Sequence, residues 1–182
     1  MSEEKKYDLL IKNIQVVKPN SDEIEISDIA IKDGVFKEIK PNINTEEAKD
    51  VYDGNNKLAF PGLVDAHMHT GIYNPLNEDA IIESRAAAMG GVTSSLNYMR
   101  TGGYYLNKGG PYKDFLPEVL ELSENNFFVD YAYHIAPMDR SHIDEIPNII
   151  DEFGITSFKI YIKVFLSFVL NNGKKNEKIK NA

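Results

Sequence analysis

Phe60-Pro61-Gly62-Leu63-Val64-Asp65-Ala66-His67-Met68-His69 decides how the rest of the chain is read. The stretch enters through Pro-Gly, runs through a short apolar segment and ends on two histidines one residue apart. Leu63 to Ala66 has the length and character of a buried strand. Successive side chains of a strand point to opposite faces, so His67 and His69 share one face. At a strand's end such a pair can converge on one metal ion through two neutral imidazoles. The same spacing also suits surface or capped histidines that follow a core strand, and two ligands alone do not make a site.

Downstream, strand and helix patterns alternate. After Leu63 to Ala66 a helix is predicted over Asp79 to Met89, capped by Asn77, lined by Ile81, Ile82, Ala86 and Met89, and ended by Gly90-Gly91. A second strand runs from Val92 to Met99. Gly102-Gly103 and Gly109-Gly110-Pro111 mark a long loop, and a second helix covers Asp114 to Glu124. A third strand spans Phe127 to Ile135. A third helix spans Ser141 to Phe153, with Pro147 inside it to kink it or move its start and Gly154 as its stop. Thr156 to Ile162 reads as a fourth strand. This rhythm predicts parallel βα units, in either a doubly wound sheet or a β/α barrel. In both, functional groups gather at the C-terminal ends of the strands, where His67 and His69 fall.

Upstream, residues 7–61 read as short strands. Tyr7 to Val17 and Ile24 to Ile31 alternate, Asp33-Gly34 marks a tight turn, and Val35 to Ile39 is the other arm of that hairpin. Val51-Tyr52, Asp53-Gly54 and Lys57 to Phe60 give a further strand, turn and strand. Acids and lysines alternate with apolar residues here, as on a solvated sheet face. The sequence thus divides into an N-terminal β portion (1–61), a βα portion (62–162) and a lysine- and asparagine-rich tail (163–182).

The 182 residues are 42% hydrophobic and 26% charged, an ordinary globular balance, with net charge -8. That charge argues against non-specific nucleic-acid binding. It is unevenly spread: five lysines against Glu177 give the last twenty residues +4, leaving -12 on residues 1–162. The absence of cysteine removes disulfides, thiolate metal sites and a cysteine nucleophile. The first residues lack a secretory pattern and the longest apolar run, Val164 to Leu170, is too short to span a bilayer, so the expected location is the cytoplasm, with no membrane partner.

Lys159, in Ser157-Phe158-Lys159-Ile160-Tyr161-Ile162, is a cation in an apolar strand and needs neutralisation, a partner or a modification, unless it snorkels to water from an edge. By alternation it shares a face with Ser157 and Tyr161, and in a barrel its stem points towards the histidine strand. His134, ending the third strand, is either a structural hydrogen-bonding residue or a lining residue of the same sheet end. Asp65 is placed to orient a ligating imidazole, or to be a buried hydrogen-bonding carboxylate. Arg100 and the 101–110 loop lie at the functional end. Asp139 and His142 read as helix-start residues. No glycine-rich phosphate loop or Ser-His-Asp arrangement is present.

Taken together, three separated stretches resemble the amidohydrolase superfamily, in its cyclic amidase branch of dihydropyrimidinase, hydantoinase, dihydroorotase and allantoinase. They are Tyr7-Asp8-Leu9-Leu10-Ile11-Lys12-Asn13 through Ile31-Lys32-Asp33-Gly34, then Pro61 to His69, then Arg85 to Thr93 followed by Ser157-Phe158-Lys159. The resemblance covers about residues 5–162. It implies an α/β fold: the first four strands of a partial (β/α)8 TIM-type barrel, preceded by a small N-terminal β-sandwich portion. It implies that His67 and His69 bind the first of two metal ions, usually zinc. It implies that Lys159 reacts with CO2 to form a carbamate, an anion whose two oxygens bridge two cations. The implied substrate is a small cyclic amide, hydrolysed at a C–N bond; a homo-oligomer is compatible with it.

Two departures shape the expectation. Gly71 stands where dihydroorotases carry a carboxylate-binding arginine, and the Ser-Phe-Lys context is closer to dihydropyrimidinase and hydantoinase. The family's later histidines and final aspartate have no counterpart: no histidine follows His142, and Glu177 is the only acid beyond Lys159. The family's substrate-binding tyrosine beyond the lysine is replaced by Val164, and residues 163–182 resemble nothing in the family. The chain is therefore expected to be an N-terminal fragment of such a hydrolase, inactive as it stands. The alternative is a non-catalytic binding or regulatory partner of a full-length relative, using Val164 to Leu170 as an interface. A third possibility is an α/β sheet protein whose histidines are incidental.

Overall fold

A computed structural model describes residues 4–101 and 108–162. Gly102-Gly103, Val164 to Leu170 and the rest of the tail lie outside the described residues. The chain divides into two compact units, one ending at Pro61 and the other beginning at Gly62.

The first unit is built on the alternation of Tyr7 to Val17. Strands β1 (Tyr7–Val17), β2 (Ile24–Lys32), β3 (Val35–Lys40), β4 (Ala48–Asp53) and β5 (Leu58–Ala59) form one sheet in the order β3-β2-β1-β4, with β5 also on β1. The β1–β2 and β2–β3 pairs are antiparallel, whereas β4 and β5 run parallel to β1. The β2–β3 hairpin turns on Asp33 and Gly34, at φ 52° and 70°, the left-handed pair that a two-residue turn requires. Tyr7, Leu10, Ala30, Ile43 and Ala48 pack as one core cluster. Buried Asp28 accepts hydrogen bonds from Lys12 Nζ and from the backbone N–H groups of Asn13 and Ile43. Among the described residues this unit contains the one sheet, so the layering expected of a sandwich is not seen within it.

In the second unit, β6 (Leu63–Met68), β7 (Val92–Met99) and β8 (Asp130–Ile135) form a parallel sheet in chain order. Helix α1 (Leu76–Met89) links β6 to β7, and α2 (Leu116–Ser123) links β7 to β8. Two short helices, α3 (Arg140–Asp144) and α4 (Ile146–Phe153), follow β8. The core gathers Leu76, Met99, Tyr112, Phe115, Leu116, Val119, Tyr133, Ile135, Ile149 and Ile155. No helix among the described residues is long and apolar enough to cross a membrane.

Several expectations are corrected here. The fourth strand, Thr156 to Ile162, is reduced to a single parallel bridge between Ile135 and Phe158. Ile135 N–H donates to Ser157 O and Lys159 N–H donates to Ile135 O. The next rung requires an N–H at Pro137, which has none, so the ladder stops. Leu63 and Val64 are 60% and 70% exposed rather than buried; among the described residues β6 pairs with β7 alone and stands at the sheet edge. Helix α1 starts at Leu76 after Pro75, and Asn77 lies inside it. Its buried stripe is Leu76, Ala80 and Ser84, while Ile82 and Met89 face outward. Small residues let this helix lie close, and the Ser84 hydroxyl is shared between Ala80 O and the N–H of Phe128. The expected third helix is split at Glu145, with Pro147 in the first turn of α4 and Gly154 as its left-handed stop. The second helix begins at Leu116, after a 3-10 turn over Tyr112–Asp114.

Candidate functional site

At the C-terminal end of the second sheet four side chains converge from elements far apart in sequence. His67 Nε2 lies 3.0 Å from His69 Nε2 and 2.9 Å from Lys159 Nζ. On its other side, His67 Nδ1 lies 2.8 Å from His134 Nε2. Lys159 Nζ also sits over the Tyr98 and Tyr161 rings, at 4.3 Å and 4.9 Å from their centroids. The Tyr161 hydroxyl donates to that of Tyr98 at 2.6 Å. His67, His69 and Lys159 are thus brought together, and His134, either structural or lining on sequence, is in direct contact with His67.

The backbone around the pair is held by buried polar groups. Thr70, directly after His69, donates through its hydroxyl to Asn97 Oδ1 at 2.8 Å. Asn97 in turn donates to Ser95 Oγ. Gly71 turns the chain at φ 78°, and its N–H donates to Asp79 Oδ2 at 2.7 Å. Asp79 lies in the first turn of α1 and also accepts from Asn74 Nδ2, so the helix start anchors the loop that leaves His69. Asp65 does not touch an imidazole nitrogen; its carboxylate accepts the backbone N–H of His67 at 3.0 Å. Arg100 is near enough for its charge to oppose protonation of His69. His142 is structural: it accepts from the N–H of Met138, its Nε2 reaches Gly110 O, and Asp139 caps its helix.

The electrostatics favour neutral imidazoles. Burial pushes the His67 pKa down, and the Lys159 charge adds to this while Asp65 opposes it. For His69 burial acts first, followed by His67, Lys159 and Arg100. For His134 it is burial, then His67, Lys159 and His69. Each ring therefore keeps a lone pair at neutral pH. Two nitrogens bound to one tetrahedral zinc stand about 3.3 Å apart. The 3.0 Å between the two Nε2 atoms is close to that separation, so the donor pair fits one such ion. Among the described residues no three histidine, aspartate or glutamate side chains are arranged to hold a metal by themselves. The convergent set is two imidazoles and an amine.

Tyr98 and the Thr70–Asn97 pair were not singled out from sequence. Their signal was position: both Asn97 and Tyr98 end a strand, on the side where functional groups collect.

Parallel β/α units with an imidazole–amine cluster at the C-terminal ends of the strands define an α/β protein of the kind that places its site there. No protein-family model matches the chain. It is 30% identical over 158 residues to a D-hydantoinase of Geobacillus stearothermophilus, covering 84% of this chain and 32% of that protein. The L-hydantoinase (dihydropyrimidinase) of Arthrobacter aurescens superposes with a TM-score of 0.66 at 26% identity, over 84% of this chain and 32% of the other. Atrazine chlorohydrolase TrzN from Arthrobacter aurescens TC1, in a zinc-complexed structure, shares the fold with a TM-score of 0.59 at 14% identity, covering 84% and 45% of the two chains. In sequence and fold the chain is thus similar to hydantoinases, of the cyclic amidase branch of the amidohydrolase superfamily. It spans about a third of the length of its hydantoinase relatives.

Proposed function

We propose that these residues form the first-metal region of a metal-dependent hydrolase of cyclic amides, of the hydantoinase or dihydropyrimidinase type. The parallel units are then the opening part of a β/α barrel, preceded by a portion of a β-sandwich. The observation that carries this reading is the meeting of His67 Nε2, His69 Nε2 and Lys159 Nζ, the last from 92 residues further along the chain.

In this reading His67 and His69 hold a zinc ion through neutral Nε2 atoms. An ammonium at Lys159 opposes a neighbouring cation; its reaction with CO2, with loss of two protons, turns it into an anionic carbamate and removes the conflict. When bound, the metal supplies Lewis-acid polarisation of an amide carbonyl and activation of water. Tyr98 and Tyr161 flank the Lys159 stem and confine it, and the Asp79 and Asn97 bonds hold the backbone that carries His69. With no histidine after His142 and only Glu177 as an acid beyond Lys159, we expect the 182-residue polypeptide alone to bind metal without turning over hydantoin.

The test is metal content after zinc loading and exhaustive dialysis, measured by mass spectrometry for the wild type and for the double variant His67→Ala, His69→Ala. Zinc retained by the wild type and lost by the double variant supports the reading. Equal content in both overturns it. Hydantoin hydrolysis above background by the zinc-loaded polypeptide contradicts the expected inactivity.

A further inference from the structure

The hydrogen-bond inventory of the cluster determines where the protons of two imidazoles lie. Lys159, as an ammonium, has donors and no acceptor. Its Nζ stands 2.9 Å from His67 Nε2, so that nitrogen presents its lone pair. In a neutral ring the proton is then on Nδ1. His67 Nδ1 faces His134 Nε2 at 2.8 Å, so His134 Nε2 is the acceptor and its own proton is on Nδ1. The opposite arrangement, with His134 donating, puts a proton on His67 Nε2 and sets it against the donors of Lys159.

His134 is well placed to hold this state. It is 7% exposed, lies in β8 opposite Tyr98 of β7, and has no other hydrogen-bond partner among the described residues. A buried imidazole with one polar contact acts through that contact. We propose that His134 is a positioning residue: it accepts the His67 Nδ1 proton, fixes the Nδ1–H tautomer and aims the His67 Nε2 lone pair at the site shared with His69 and Lys159. The inference rests on the metal-binding reading for its purpose, but the tautomer is a property of the metal-free protein. A ligating histidine needs such a partner for its second nitrogen, and loss of one typically weakens metal binding about 10- to 100-fold.

The experiment uses the full polypeptide and two variants. His134→Gln keeps an acceptor near the Nε2 position, and His134→Phe keeps a ring without one. Long-range 15N–1H correlation spectra of the metal-free protein report the tautomer of His67, assigned by comparison with His67→Ala among only four histidines. Zinc affinity is read by competition with a chromophoric chelator. The expected results are the Nδ1–H tautomer in the wild type, its retention in His134→Gln with affinity within about threefold, and a 10- to 100-fold loss in His134→Phe. An Nε2–H tautomer in the wild type overturns the proposal. So does undiminished zinc affinity in His134→Phe. If the wild type binds no zinc, the metal reading fails, and the metal-free spectra still decide whether His134 sets the tautomer.

Discussion

Asp79 offers the sharpest test of how the histidine loop is held. Its side chain is buried, at 6% exposure, and accepts from Gly71 N–H at 2.7 Å and Asn74 Nδ2 at 3.1 Å. Replacement by alanine removes both bonds and leaves a buried N–H without its acceptor. Hydrogen bonds to a charged group contribute about 1.5–3 kcal/mol, and an orphaned buried donor costs about 1–3 kcal/mol. These describe the same loss from two sides, so about 3 kcal/mol is expected for Asp79→Ala, including its place in the first turn of α1. Asp79→Asn keeps one oxygen for Gly71 and loses the charge; about 1–1.5 kcal/mol is expected. Urea unfolding followed by circular dichroism gives the differences. Amide hydrogen exchange at Gly71 shows whether the loss is local: protected in the wild type, fast in Asp79→Ala. The reasoning is refuted if Asp79→Ala lies within 0.5 kcal/mol of wild type, taking about that figure as a neutral surface change. It is also refuted if the asparagine variant is the worse of the two.

Three further outcomes follow from the same geometry. Gly71→Ala places a side chain at φ 78° with its Cβ 2.8 Å from Leu76 Cδ1; about 2 kcal/mol or more of destabilisation is expected, read as a lowered thermal midpoint. Asn97→Leu leaves the buried Thr70 hydroxyl without its acceptor, and a loss of about 2–3 kcal/mol in urea is expected, whereas Asn97→Asp retains an acceptor for it. The pKa values of His67, His69 and His134 are lowered in the folded state, so the unfolded chain binds more protons once pH falls below about 6.5. Their contribution is fully present above that pH and is lost as pH falls through the window towards the lowered values. Urea midpoints measured between pH 8 and 5 should fall with acid in the wild type, and less so in the double variant His67→Ala, His69→Ala.

The parts of the fold set by local chemistry were legible in the sequence. Asp33-Gly34 dictates a two-residue turn wherever it sits between alternating strands, and the hairpin forms there. The Leu63 to Met68 stretch is a strand with the histidine pair at its C-terminal end, and Lys159 reaches His67, the direction that strand alternation suggested. What was missed depends on partners distant in sequence. The bridge at Phe158 fails to grow into a strand because of Pro137, two residues past the end of β8. The outward face of α1 carries Ile82 and Met89, because tight packing selects Ala80 and Ser84 for the inner stripe. His134 was ambiguous because a single histidine at a strand end carries no local sign of what stands two strands away.

The step from spacing to convergence runs through two offsetting irregularities of the β6–β7 ladder. Asp65 pairs with Ser95 and Met68 with Asn97, so two residues of β6 stand opposite Leu96 alone. Nearer the start of the pair the extra residue is on β7: Leu63 pairs with Val92 and Val64 with Ser94, so Thr93 is unmatched. The extra residue of β6 restores the register that Leu63 began, and with it the parity that sets His67 and His69 on the face that Tyr98 and His134 occupy. A bulge leaves a backbone N–H out of the ladder, and the Asp65 carboxylate takes that of His67. The acid two residues before the first histidine thus acts on the backbone rather than on the ring. It stabilises the second irregularity, which brings β6 back into register, and leaves the second nitrogen of His67 to be held from β8 by His134.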